Sequence, residues 1–219
     1  MSDTQQSEIV ITGGSGGLAR TIANRFTEGG WHVLAPGRDE LDVTDTTTVA
    51  RYFADHQPTL LICNAGVIRD APLARIASAD WQHVIGVNFH GARRCATTAL
   101  PEMIRKKSGH IIFISSHSAL HPPVGQAAYA AAKAALLGLT RALAAETGSY
   151  GVRVNAILPG FLETPMTANI SARRRDAVCA AHTLGRFNTP TAVARFIWHL
   201  HPDLPHTSAQ TFQLDSRAG

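Results

Sequence analysis

The sequence predicts a single α/β domain built on a doubly wound parallel sheet. Short apolar runs bounded by turn residues alternate with stretches of helical periodicity, and that alternation demands crossover connections between parallel strands. A glycine-rich stretch lies where the first apolar run gives way to the first helical pattern, a place where such sheets hold ligands at the carboxyl ends of their strands. The 219 residues, 45% of them hydrophobic, supply one sizeable core but would leave two independent domains cramped.

Taken in order, EIVIT (8–12) reads as the first strand, and Leu18, Ile22 and Phe26 at i, i+4 and i+8 give the following helix one apolar face. HVLAP (32–36) is the second strand. Between it and TLLICNAG (59–66) the chain is short: ELDV (40–43) is expected as a brief strand, and TTTVARYFADH (46–56) is the only helix. A helix before ELDV would be usual in a doubly wound unit, but there is room only for a turn. Long helices are expected around Trp81 to Arg105 and Gln126 to Thr147, the second rich in alanine, the strongest helix former. HIIFISS (110–116), RVNAILPG (153–160) and TFQLD (211–215) complete the expected sheet, with no internal repeat or low-complexity linker.

Composition excludes several function classes. The formal charge is +4, but Lys and Arg are scattered apart from Arg173, Arg174 and Arg175, and only 6% of residues are aromatic. A nucleic-acid surface needs clustered basic side chains, often with stacking rings, so no nucleic acid is expected as a partner. The polar start MSDTQQSEIV lacks the basic and apolar regions of a secretory signal, and no apolar run approaches the ~18 residues of a membrane span. A cytoplasmic protein with no membrane partner is the expectation. Cys63, Cys95 and Cys179 show no C-x-x-C spacing, which argues against a disulfide framework or thiolate metal site. His117 and His121 lie four apart, yet Pro122 and Pro123 disfavour a regular helix and no third ligand is visible. No metal is expected, and pocket lining or simple exposure is the reading of these histidines.

The chemistry-bearing motifs begin with TGGSGGLA (Thr12 to Ala19). Glycines there let backbone N–H groups and a helix N-terminus approach a pyrophosphate. At the end of the second strand stands Pro36-Gly37-Arg38. An arginine there accommodates a ribose 2′-phosphate and favours NADP(H) over NAD, although Asp39 and Glu40 lie close by. In YAAAK (129–133), Tyr129 and Lys133 sit one helical turn apart and can act on one point; alone, the same spacing would also fit a surface pair.

Together with CNAG (63–66), VNFHG containing Asn88, ISS ending at Ser116 and LPGFLETPM (158–166), these motifs stand in the order and spacing of the short-chain dehydrogenase/reductase family. The chain resembles that family from Ile9 to about Asp215. It is most similar to the single-domain branch that includes 3-oxoacyl-acyl-carrier-protein reductases and many sugar, polyol and ketone dehydrogenases. The resemblance implies a Rossmann-like fold over residues 1–219 with a substrate lid around 166–188. It implies that Thr12, Gly13, Ser15, Gly17 and Leu18 contact the cofactor's phosphates and ribose, that Arg38, Asp42 and Val43 border its adenosine, and that Asn64, Ala65 and Gly66 lie beneath the ribose chain. Pro159, Gly160, Leu162 and Thr164 would hold the nicotinamide. Asn88, Ser116, Tyr129 and Lys133 would form the catalytic tetrad, the last two also touching the cofactor; Ser115 would replace Ser116 if the register slipped.

In that tetrad Ser116 holds the developing oxyanion, Tyr129 donates the proton and Asn88 serves a proton relay. Bringing a phenol from about 10 toward neutrality takes roughly 4 kcal/mol, expected from Lys133 together with the positive nicotinamide. Three departures stand out: Ala19 replaces the loop's last glycine, the helix before ELDV is missing, and Asp215-Ser216-Arg217 replaces an Asp-Gly-Gly. The function implied is an NADP(H)-dependent interconversion of a ketone and a secondary alcohol, on a 3-oxoacyl thioester or a small carbonyl, carrier-protein- or CoA-linked. A homodimer or homotetramer is implied through the two long helices. Arg173 to Arg175, in the lid, could meet an anionic substrate arm or form a solvated charge run. A nucleotide-sugar epimerase or dehydratase and a non-catalytic dinucleotide sensor are the alternatives; the former normally carries a longer C-terminal substrate domain, and the latter usually loses the tyrosine or lysine.

Overall fold

The computed structural model describes residues 8–168 and 170–217. Six strands, β1 (Glu8–Ile11), β2 (His32–Leu34), β3 (Leu60–Cys63), β4 (Gly109–Ile114), β5 (Val152–Leu158) and β6 (Thr211–Gln213), form one sheet in the order β2-β1-β3-β4-β5-β6. Every neighbouring pair is parallel. The chain steps from β1 to β2 in one direction and then returns to β3 on the other side of β1. Loops leaving β1 and β3 therefore diverge and open a crevice at their carboxyl ends, the switch point where such sheets bind ligands.

All residues of β3 and β4 are buried, as parallel strands covered on both faces must be. Alternate side chains go to opposite layers. Ile9, Ile11, Leu60, Ile62, Ile112 and Ile114 pack on α1 (Gly17–Glu28) and α7 (Pro190–Leu200), where Phe26 lies 5.2 Å from Trp198 between ring centroids. Val10, Leu61, Ile111, Phe113 and Val154 pack on α2 (Thr46–Asp55), α4 (Ala92–Lys106) and α5 (Ala127–Thr147). Each of these buried aliphatic side chains contributes about 1.5–3 kcal/mol. Among the described residues no helix is long and apolar enough to cross a membrane.

Two elements differ from the pattern in the sequence. ELDV forms no strand: the Gly37 carbonyl accepts from both Glu40 N–H (3.3 Å) and Leu41 N–H (2.9 Å), so the chain turns back at once. Leu41 and Val43 then drop into the core instead of forming a sheet edge. The helix expected around Trp81 to Arg105 is composite: α3 (Ser78–Ile85) runs through a π-helical turn, Gly86–Gly91, into α4. Between β5 and β6 lie α6 (Ala172–Ala180) and α7, whose apolar Val193, Ala194, Ile197 and Leu200 face the core.

Candidate active site

The glycine loop is shaped by what it must avoid. Gly13 has φ +71°, and a Cβ there would stand 2.8 Å from Ala65 Cα; one on Gly14 would stand 1.8 Å from the Ala35 carbonyl oxygen. The loop is thus wedged between the ends of β3 and β2, and Gly14, absent from the residues that the sequence singles out, is as constrained as Gly13. At the start of α1, Gly16 supplies no side-chain cap and the first turn carries no acid. The positive helix end and its N–H groups are left to an external anion. Across the crevice, Thr164 and Pro165 come within 3.7 Å and 3.6 Å of where a Gly17 Cβ would lie, so the loop faces the segment after β5.

Thr12 and Leu18 turn their side chains inward. Thr12 is buried, and its hydroxyl accepts from the N–H groups of Asn64 and Ala65, each at 3.0 Å. It staples β1 to the turn after β3. Asn64 returns the contact, donating from Nδ2 to the Thr12 carbonyl at 3.1 Å. Leu18 packs into the helix–sheet core beside Ala19, whose methyl is fully buried there, so Ala in place of glycine keeps the close packing. Ser15 Oγ lies 3.1 Å from the position of a Gly37 Cβ, beside the end of β2.

On the adenosine side, Arg38 and Asp42 pair with each other, Arg38 Nε donating to Asp42 Oδ2 at 3.1 Å. Asp42 also accepts from Thr44 Oγ1 (2.6 Å) and Thr44 N–H (2.9 Å). These bonds, the Thr44 hydroxyl foremost, hold its carboxyl below the usual value. Arg38 remains mostly exposed. Val43 is buried, and its carbonyl accepts from the Arg94 guanidinium of α4, a partner that no local motif announces.

Ser116, Tyr129, Lys133 and Asn88 converge at the carboxyl ends of β3 and β4. Lys133 is 3% exposed; its Nζ donates to the Ile114 carbonyl at 2.8 Å and sits 5.7 Å from the Tyr129 ring centroid. Burial pulls its pKa down to about 8. Ser116 caps the short helical turn His117–Ala119, its Oγ accepting from Ser118 N–H at 3.1 Å. Ser115 is buried and donates from Oγ to the Lys133 carbonyl at 2.8 Å, so of the two serines it is Ser116 that lies on the open side. The Tyr129 phenol is pushed above its ordinary value: burial dominates, the Asp70 carboxylate adds, and a hydrogen bond with Ser116 opposes.

Asn88 is fully buried in the π-helical turn and donates from Nδ2 to Val84 O (2.9 Å) and Val67 O (2.8 Å). Its side chain enters the helical ladder, a recognised cause of such a turn. Its Oδ1 is buried without a partner, 2.8 Å from where a Gly66 Cβ would be, with Lys133 Nζ 3.6 Å from the same point. Gly66 thus keeps open a small space with an acceptor on one side and a cation on the other.

In the segment after β5, the Pro159 carbonyl accepts from Asn188 Nδ2 (2.9 Å), which also donates to Leu214 O (2.8 Å). Leu162 is buried and bridges to Asn188, Gly160 packs against Asp215, and Thr164 and Thr167 cap each other reciprocally. Asn188 fastens this strip, yet nothing in its surroundings in the sequence marks it. Of the three successive arginines, Arg175 is paired with Glu163 and lies 5.3 Å above the Phe187 ring, while Arg173 and Arg174 are exposed. The unusual C-terminal stretch has a use: Arg217 pairs with buried Asp215 and bridges to His182, and Ser216 O accepts from Thr183 N–H at 2.9 Å. These contacts moor the stretch after α6 to the C-terminal end. His117 and His121 stack at 4.7 Å, and among the described residues no three metal-ligating side chains gather.

The model of the short chain dehydrogenase family matches residues 40–175. A 3-oxoacyl-acyl-carrier-protein reductase of Thermotoga maritima is 32% identical over 220 residues, covering 89% of this chain and 89% of its own. A reductase of the same name from Synechocystis is 34% identical over 217 residues, 98% of this chain and 80% of its own. Among solved structures, an oxidoreductase of the short chain dehydrogenase/reductase family from Burkholderia thailandensis superposes with a TM-score of 0.88 at 27% identity, covering 97% of this chain and 92% of that one. A putative NAD(P)-dependent gluconate 5-dehydrogenase from Beutenbergia cavernae, with NADP bound, gives 0.89 at 28% identity, covering 96% and 95%.

Proposed function

The chain belongs to the short-chain dehydrogenase family and is an NAD(P)-dependent oxidoreductase, and from that premise we propose that it reduces a 3-oxoacyl thioester or a similarly small ketone with NADPH. The observation that carries this reading is the meeting of Ser116, Tyr129, Lys133 and Asn88 at the same carboxyl edge of the sheet as the uncapped N-terminus of α1. The crevice suits a dinucleotide: it offers an anion site without competing acid, close backbone at Gly13 and Gly14, and an unpartnered buried Asn88 Oδ1. Gly13, Ser15 and Gly17 would hold the phosphates, Arg38 the 2′-phosphate, and Gly160, Leu162 and Thr164 the nicotinamide, which supplies the hydride when bound.

The protein's own groups handle the oxygen. Ser116 Oγ accepts the Ser118 N–H, which leaves its one proton to serve Tyr129 or the substrate carbonyl oxygen. Tyr129, held protonated by burial, then donates its proton to the alkoxide, whose far higher basicity makes that transfer downhill. A raised phenol favours the reductive direction; oxidation would need the positive nicotinamide to lower it. Lys133, near pH 7 largely charged, steadies the phenolate that forms. The names of the relatives support a carrier-protein-linked substrate.

A cytoplasmic homodimer or homotetramer is part of the proposal, supported by the exposed small residues Ala131, Gly138, Ala142 and Ala145 on α5. Quenching of tryptophan fluorescence by NADPH and by NADH, followed by NADPH oxidation against 3-oxoacyl thioesters and simple ketones, tests the reading. Tighter binding of NADPH with turnover of a 3-oxo substrate is expected. Preference for NADH, or binding without turnover across the panel, would contradict it.

A further inference from the structure

The turn that carries Ser116 is fixed by a hydrogen-bond chain ending well outside the four residues above. Ser118 N–H donates to Ser116 Oγ at 3.1 Å, Ser118 Oγ donates to Gln126 Oε1 at 2.9 Å, and Gln126 Nε2 donates to Asp70 Oδ2 at 3.0 Å. The directions follow from the groups themselves. An ionised carboxylate only accepts, so Gln126 must turn its NH2 to Asp70 and its carbonyl to Ser118, which obliges the Ser118 hydroxyl to donate. A second bond runs alongside, from Ala71 N–H to the Gly125 carbonyl at 2.9 Å. Together they stitch two loops at the mouth of the crevice. One begins with Asn64, Ala65 and Gly66 and gives its Val67 carbonyl to Asn88; the other starts at Ser116 and runs into α5 one turn before Tyr129.

We propose that Gln126 and Asp70 are positioning residues for the proton-transfer centre: Gln126 locks the turn that aims the Ser116 hydroxyl, and Asp70 anchors Gln126. The inference rests on the reading that Ser116 and Tyr129 handle the substrate oxygen. The groups facing Tyr129 are Ser116 from the turn after β4, Asp70 from the loop after β3 and Lys133 from its own helix, with the Cys63 thiol behind Lys133. Ser116 and Asp70 act on the phenol in opposite senses, the first favouring phenolate and the second opposing it. The strut therefore joins two groups that act on Tyr129 in opposite senses, beneath the burial that dominates.

Two variants separate the charge from the bond. Asp70→Asn keeps an oxygen for Gln126 Nε2 and removes the charge; Gln126→Leu keeps the bulk and breaks the chain. The chain holds three tyrosines, so in a Tyr52→Phe, Tyr150→Phe background the tyrosinate absorbance of the full-length protein titrates Tyr129 alone, with no substrate needed. Asp70→Asn is expected to move that titration to lower pH, by less in 1 M salt. Gln126→Leu is expected to move it higher, because the Ser116 bond to the phenolate is loosened. In NADPH-linked reduction Gln126→Leu should lower kcat roughly 10- to 100-fold with KM nearly unchanged, as misplacement of a reacting group does. Equal shifts of both variants toward the ordinary phenol value, or no shift in either, would overturn the proposal by showing only a loop contact. Opposite shifts in a protein that reduces no carbonyl would uphold the strut and defeat the reductase reading instead.

Discussion

Lys133 shows at the scale of one residue why side-chain type and spacing carry chemistry. A buried ammonium costs free energy unless hydrogen-bonded, and here the Ile114 carbonyl is the partner that the sequence could not name. Lys133→Met should abolish the local cation while preserving bulk, reducing kcat roughly 100-fold with a smaller change in thermal stability; steady-state kinetics beside a melting curve checks it. Asn88→Ala would leave the Val67 and Val84 carbonyls without their donor, and a loss of about 2 kcal/mol in urea unfolding is expected together with lost turnover. At this scale the motif residues Ser116, Tyr129 and Lys133 were legible because their spacing carries their meaning. Asp70, Gln126, Arg94 and Asn188 were not, since each acts on a group distant in sequence through a contact that only the fold creates.

Elements were legible wherever periodicity or burial dictated them, as in β1, β3, β4, α1 and α5. ELDV misleads because its alternation resembles an edge strand, while the Gly37 turn leaves no chain to reach the edge. The π-helical turn at Asn88 is invisible to any helical period. Packing between elements gives two predictions. Gly14→Ala would drive a methyl into the Ala35 carbonyl, costing roughly 3 kcal/mol and lowering Tm by roughly 6–12 °C in calorimetry.

The second concerns pH. His110 of β4 and His201 after α7 meet at 3.2 Å through their Nδ1 atoms, and Asn155 Nδ2 lies 3.0 Å from His110 Nε2 while also donating to Thr207 O. Asn155 donates here, so His110 accepts at Nε2 and donates from Nδ1, and both rings are neutral. Burial, with the Arg153 guanidinium close by, lowers both histidines, His201 to about 4 from an ordinary 6.5. The unfolded chain takes up these protons first, so this contribution to stability is complete above about pH 6.5 and is lost as pH falls from there toward 4. Melting temperatures should fall through that window, and His201→Gln should flatten the slope; a flat profile in the parent protein would contradict the buried neutral pair.

For the whole molecule, strand order follows from connectivity: one step outward to β2, a return past β1, and a crevice where the direction reverses. The alternation of strands and helices made that architecture readable, whereas the mooring of His182 by Asp215 and Arg217 required knowing that the last strand returns beside β5. Self-association through the α5 face predicts a dimer or tetramer in sedimentation at micromolar concentration, and a bulky Ala142→Trp should shift it toward monomer. The central claim is that this fold moves a hydride under the control of one phenol. Its most direct test is NADPH binding and 3-oxoacyl thioester reduction measured side by side for the parent protein and Tyr129→Phe. NADPH affinity within about two-fold, with turnover reduced at least ~100-fold, is the predicted result. Turnover that survives the loss of the Tyr129 hydroxyl would contradict the account.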